Sequence, residues 1–218
     1  NSFSNDVRLF KNHIIKVFNS RERLERCLEG LQIMSNTLIN VPKVEYVCSD
    51  KNIIVEKYID SISLNEYMIR LTPKRLYDIG QLMGQFHSIN MSSYDNEQEW
   101  VITILNDMFK IRQILVPYED DFIKSIAFVE EKCTILFKSL HFTYVHGDFR
   151  PANILYSQSD KKYYLIDFEN FMIGDPTLDI YKVLSVLRSN SIYTFIDVKA
   201  FLDGYASIRK LPDRLVEM

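Results

Sequence analysis

No stretch of this chain comes near the roughly 20 consecutive apolar residues that a membrane-crossing helix needs, and its first residues show no signal-peptide pattern. Cysteine is scarce and scattered: Cys27, Cys48 and Cys133 are odd in number and form no C-x-x-C pair. Such usage speaks against a disulfide framework or a zinc site and fits a reducing cytoplasm. The other use of a lone cysteine, a reactive thiol, stands against the frequent burial of free cysteine. An excess of one charge is missing too. The 26 basic and 29 acidic residues leave a formal charge of −3, and no Lys/Arg run lies along a helix face, so nothing in the charge points to nucleic acid. The pattern G-x-x-x-x-G-K-[ST] is absent, which argues against a P-loop. Repeats, low-complexity segments and flexible linkers are absent as well. What remains is 218 residues, 47% of them apolar, enough to bury a core as one domain or two small lobes.

Two regions of different character follow. "DVRLF" and "NHIIKVF" are short β-type runs joined at Lys11 and Asn12, a hairpin pattern. Ser20 is a helix cap, and Leu24, Cys27, Leu28, Leu31 and Met34 recur behind it at helical spacing. "KVEYVC" and "NIIVEKYI" read as two further strands around "SDKN". Residues 1–59 therefore form a small sheet with one helix, and residues 60–218 a second, mostly helical region. There Thr72 and Pro73 open a helix carrying Leu76, Ile79, Leu82, Met83 and Phe86 on one stripe. Gly80 and Gly84 on it mark close helix packing. Amphipathic helices are expected over 97–115 and 119–140, then β structure around 144–168 with "KKYYLIDF" as its clearest strand, and helices again near Thr177 and Thr194.

One stretch does not read as packing. "YVHGDFRPANIL", residues 144–155, crowds a histidine, an aspartate, an arginine and an asparagine into a segment that a proline keeps from being helical. A strand ending in Asp167 follows, and strand ends present their last side chains to a crevice. Two carboxylates and an amide suit a hard cation such as Mg²⁺, which takes one or two carboxylates and completes its shell with substrate phosphates. In that reading Asp148 stays clear of the metal to meet an acceptor hydroxyl, while Asn153 and Asp167 hold the cation, as the spacing H-x-D-x-x-x-x-N followed by a strand and Asp does in kinases.

Here the sequence resembles a known family, the aminoglycoside phosphotransferase and choline kinase-like group of the protein-kinase-like fold. "VHGDFRPANIL" is similar to its catalytic loop and "LIDFENFMIGDPTLDI" to its metal-binding segment. "SFSNDVRLF", "IIKVF" and "QFHSI" extend the likeness, which runs from about Ser2 to about Leu187. The resemblance implies a two-lobed α+β fold and transfer of the γ-phosphate of ATP, or of GTP, to a hydroxyl of a small molecule. It implies that Ser4 and Asn5 lie in the nucleotide loop and that Lys16 contacts the α/β-phosphates. Lys16 would pair with an acidic residue on the next helix, Glu25 with Glu22 in reserve. Lys57 and Ile59 would meet the adenine through backbone groups. His146 would hold the loop, Asp179 would brace it, and Asp175 would help or simply make a turn. Arg150 stands where protein kinases carry a cation facing the transferring phosphate; as a surface loop arginine it would have no such role.

The chain departs from the pattern in its nucleotide loop, which has Ser2 and Ser4 but no glycine. Either that strand begins upstream of Asn1 or the loop is lined by serine. A non-enzymatic, pseudokinase-like nucleotide binder is the competing class. A protein kinase fits poorly, because "FENFMIGDP" leaves no room for an activation loop ending in A-P-E. The acidic segments at Asp95, Glu97 and Glu99 and at Glu119, Asp120 and Asp121 would steer a cationic acceptor if they line the cleft. Trp100 or one of the neighbouring tyrosines would then add a cation–π contact. If these residues cap helices and face water, they carry no message about the acceptor.

Overall fold

Strand β1 (Asp6–Phe10) turns at Lys11, whose φ of 52° lies in the left-handed region, and pairs antiparallel with β2 (His13–Val17). The structure, a computed structural model, describes residues 6–65, 70–91 and 142–212. Ser4, Asn5, Cys133, the acidic segments with Trp100, and the helices expected over 97–115 and 119–140 lie outside the described residues.

Ser20 caps helix α1 (Arg21–Ser35) by accepting the Arg23 N–H at 3.3 Å, and the helical stripe turns Leu24, Cys27, Leu31 and Met34 inward. Strands β3 (Val44–Cys48) and β4 (Ile53–Lys57) complete an antiparallel sheet in the order β1-β2-β4-β3. The last strand to be made thus lies second from the edge, beside β2. Lys16 faces Ile54 and Ile14 faces Glu56 in the ladder, so these four side chains share one face of the sheet.

Past the linker that follows Lys57, β5 (Ile62–Ser63), β7 (Ile154–Ser157) and β8 (Lys162–Leu165) form a second sheet. A third pairs β6 (Thr143–Val145) with β9 (Met172–Gly174). Helix α2 (Pro73–His87) starts at Thr72, which accepts the Arg75 N–H at 3.3 Å. Helices α3 (Thr177–Ser189) and α4 (Phe195–Ala206) close the described chain. Helix α4 crosses α2 with backbone against backbone. A Cβ on Gly80 would run into the Phe201 carbonyl oxygen, and one on Gly204 into that of Tyr77. The glycine spacing in α2 therefore serves helix packing within the chain, as the sequence suggests.

One apolar cluster runs through both regions, from Phe18, Leu24, Met34 and Ile54 to Phe86, Phe149, Phe168 and Phe201. Arg23 of α1 also reaches Glu169 at 3.4 Å. The two regions are thus packed on each other, with a cleft between them. Among the described residues no helix is long and apolar enough to cross a membrane.

Candidate active site

The floor of the cleft is the loop that leaves β6. Gly147 has φ +76°, and a Cβ there would meet the Asn170 backbone, so the turn that presents Asp148 suits glycine. His146 beneath it is fully buried and lies against the rings of Phe86, Phe149 and Phe168. Burial pulls its imidazole below the usual value, against the attraction of Asp179. In the neutral ring, Nε2–H donates to the Ile166 carbonyl at 2.9 Å and Nδ1 accepts the Asp148 N–H at 3.4 Å. One imidazole thereby ties the loop to the backbone between β8 and Asp167.

Asp179, buried on α3, holds the same loop from below. It accepts the His146 N–H at 2.8 Å and the Gly147 N–H at 3.0 Å. His87 bridges Asp179 at 3.1 Å and the Tyr205 hydroxyl at 3.2 Å, so a chain of hydrogen bonds runs from α4 to the loop. Asp175, by contrast, accepts the Thr177 N–H at 2.8 Å and makes a local turn.

Asp148 and Asn153 are brought together by the short helical turn Pro151–Asn153. Asn153 donates Nδ2–H to the Asp148 carbonyl oxygen and to its Oδ2, both at 2.9 Å. With the amide nitrogen so committed, Oδ1 is left to act as a neutral ligand. The Ile166 N–H donates to the Asn153 carbonyl at 3.0 Å, which sets Asp167 beside the loop. Asp167 itself adopts φ 72° and ψ 59°. Aspartate tolerates this left-handed conformation better than most residues, and such backbones gather at functional sites. One carboxylate and one amide oxygen match the donor set that Mg²⁺ takes when phosphate oxygens supply the rest.

The roof differs from expectation in one respect. Lys16 Nζ lies 3.1 Å from Glu56 on the neighbouring strand, with the two side chains only 9% and 3% exposed. Burial pulls the ammonium down, but Glu56, with smaller help from Cys27 and Asp167, leaves it above its usual value. The helix partner expected for Lys16 is a correction: Glu25 is 61% exposed and pairs with Arg21, and Glu22 pairs with Arg26. The inward stripe of α1 carries Cys27, which interacts electrostatically with Lys16, and burial pushes that thiol up to about 12. A glutamate on an otherwise apolar strand face was the signal for Glu56, since such a residue is rarely buried without a partner.

A cleft of about 300 Å³ lies under the roof, lined by Val7, Ile14, Lys16, Glu56, Lys57, Ile59, Leu155 and Ile166 among others; it adjoins the floor through Leu155 and Ile166, and Asp148, Asn153 and Asp167 are not in its lining. The Lys57 N–H is taken by the Lys43 carbonyl at 2.9 Å and the Tyr58 N–H by that of Asn12, also at 2.9 Å. Lys57 can therefore offer a ligand only its carbonyl. Arg150 lies on the floor, Nε 3.5 Å from Asp148 Oδ2. Sequence reasoning missed Lys182, whose Nζ stands 2.9 Å from Asp148 Oδ1. It follows Asp179 by three residues, a spacing that puts both on one side of α3.

A small sheet with one helix above a mostly helical region, with polar loops facing the cleft between them, defines a protein-kinase-like fold of two lobes. Solved structures share it, three of them as follows. One is a gentamicin complex of APH(2")-IIa, with TM-score 0.64, 21% identity, and 94% of this chain and 74% of that one covered. Another is a choline/ethanolamine kinase family protein from Mesorhizobium loti, with TM-score 0.67, 13% identity and coverage of 95% and 68%. The third is choline kinase LicA from Streptococcus pneumoniae, with TM-score 0.63, 20% identity and coverage of 92% and 70%. At these identities the likeness is one of fold. No curated protein matches the sequence. The chain belongs to the APH phosphotransferase enzyme family, whose model matches residues 2–214.

Proposed function

We propose that this phosphotransferase moves the γ-phosphoryl group of ATP, with GTP as the second candidate, to a hydroxyl of a small molecule of the aminoglycoside, amino-alcohol or sugar kind. The observation that carries the reading is the joint placement of Asp148, Asn153 and Asp167 on one hydrogen-bonded floor, with Lys16 across the cleft close enough to feel the charge of Asp167. Neighbours of the same fold include complexes with ATP, ADP and AMP, which supports a nucleotide in this cleft. Residues 1–59 serve as the nucleotide lobe and 60–218 as the acceptor lobe. The free cysteines Cys27 and Cys48 suit a reducing, cytoplasmic setting.

Each residue then has its task. The Lys57 carbonyl and the Ile59 backbone face the base, Ser4 and Asn5 belong to the loop above the phosphates, and Lys16 meets the α/β-phosphates while Glu56 keeps it charged and in place. Asn153 and Asp167 hold Mg²⁺, which when bound offsets phosphate charge. Asp148 accepts the hydroxyl proton as the acceptor oxygen bonds to phosphorus and the nucleoside diphosphate leaves, and Arg150 faces the group in transfer. Asp148→Asn keeps the shape of the loop and should lower turnover by about 10²–10⁴-fold, the usual worth of a general base, while nucleotide affinity persists. Near-normal turnover in that variant, measured with Mg²⁺ and ATP beside the wild type, would remove Asp148 from the mechanism.

A further inference from the structure

The charges around the described part of the loop are unevenly placed. Asp179 is buried and occupied by the His146 and Gly147 amides and by His87. Asp175 is occupied by Thr177, and Glu169 by Arg23. Asp167 is committed to the cation in the reading above. These carboxylates are thus engaged within the fold, whereas Lys182 comes to Asp148 from the more open side. Lys182 touches Asp148 Oδ1 with 43% of its side chain exposed, and Arg150 stands by Oδ2 with its Nε buried. Asp148 therefore presents itself to an acceptor with a positive neighbour at each oxygen.

An acceptor hydroxyl that reaches Asp148 must share the carboxylate with the Lys182 ammonium, so the atoms a few bonds from that hydroxyl lie beside a positive charge. An amine there meets like charge in a partly desolvated site. A carboxylate there gives Lys182 a second anion, and the Asp148 oxygen can turn to the hydroxyl. Resting on the phosphotransfer reading above, and narrowing its acceptor to the sugar kind, we propose that Lys182 selects the acceptor and that the acceptor is a hydroxy acid, its carboxylate close to the hydroxyl that is phosphorylated. Arg150 strengthens the same field. The fold supplies the selector simply: the helix face that buries Asp179 to brace the loop carries Lys182 one turn on, where it reaches the catalytic carboxylate. This balance of charge runs opposite to the cationic acceptor suggested by the acidic segments at 95–99 and 119–121.

The test uses the whole chain with Mg²⁺ and ATP and two trios of acceptors matched in skeleton: gluconate, glucitol and glucamine, then glycerate, glycerol and 3-amino-1,2-propanediol. Rates are taken as kcat/KM above the same protein's ATP hydrolysis. In each trio the acid should lead the neutral polyol by about tenfold, the scale of one charge-assisted hydrogen bond, with the amine last. Lys182→Arg should keep that order, Lys182→Gln should level it, and Lys182→Glu should reverse it. Equal rates across the trios, a polyol or amine in the lead, or an acid preference untouched in Lys182→Glu each overturn the proposal and leave the kinase reading standing. If the wild type consumes no ATP at all, hydrolysis included, the kinase reading falls and this inference with it.

Discussion

Floor and roof face each other across one cleft, yet they hold their charged groups by opposite means. The floor is determined several times over. Asp179 grips two successive backbone amides, His146 ties the loop to the backbone before Asp167, and three phenylalanine rings enclose that histidine. The roof holds Lys16 by one side-chain pair between adjacent strands, and outside that pair lies an exposed edge strand, β1. The Asp148 loop is braced through its backbone, which suits the proton acceptor proposed there. Lys16 is held at its tip alone, which suits the contact with flexible phosphates proposed for it.

If this contrast is right, the floor should be the more costly of the two to disturb. Asp179→Ala leaves one buried and one half-buried amide and His87 without their acceptor, and should cost about 3–5 kcal/mol in urea denaturation. Glu56→Gln keeps the shape of the roof pair but removes its charge, and should cost about 1–3 kcal/mol. A larger loss in Glu56→Gln than in Asp179→Ala would reverse the comparison.

The roof pair also has a pH signature. Folding raises the Lys16 pKa, so its contribution is full below the unfolded value of 10.5 and is lost as pH rises through the higher folded value. Wild type should therefore lose stability above pH 10.5, and Glu56→Gln should lose correspondingly less. Glu25→Gln, which touches only an exposed i,i+4 pair, should change stability by less than about 0.5 kcal/mol at any of these pH values. A Glu25 effect as large as that of Glu56 would restore the helix partner to Lys16.

The smallest expected effect concerns closure. Cys27 lies behind Lys16 with its thiol pushed up to about 12 by burial, so iodoacetamide at mildly alkaline pH should label Cys48 and spare Cys27. Mass spectrometry that found Cys27 labelled as fast as Cys48 would show a roof that opens far more readily than the floor.

The same contrast explains what the sequence disclosed. Asp148, Asn153 and His146 lie within eight residues, and their spacing on a proline-stiffened loop is itself the geometry, so the floor could be read directly. Asp179 was legible only through the family resemblance, which "GDPTLDI" helps to carry. The caps Ser20 and Thr72 and the close-packing glycines of α2 were readable too, since each is a local pattern. Glu56 was not, because its pairing with Lys16 depends on which strand lies beside β2, and the order β1-β2-β4-β3 is a long-range choice. Lys182 was passed over for a related reason. Nothing in its neighbours shows that α3 brings it to Asp148; only the docking of the helix does.

The backbone crossing of α2 and α4 at Gly80 and Gly204 has a consequence for the order in which the protein is made. Everything between those helices, the loop of Asp148 and the turn of Asp167 included, lies inside a length of chain whose ends are joined by that crossing. The hydrogen-bond relay from Tyr205 through His87 to Asp179 is likewise complete only when α4 has docked. Closing so long a loop is a late event, because its entropy must be lost before its contacts form. On the ribosome the roof, made from local hairpins, can fold while the rest of the chain is still being synthesised. The floor must wait until Tyr205 has emerged, so a nascent chain has its first sheet long before the loop of Asp148 is braced.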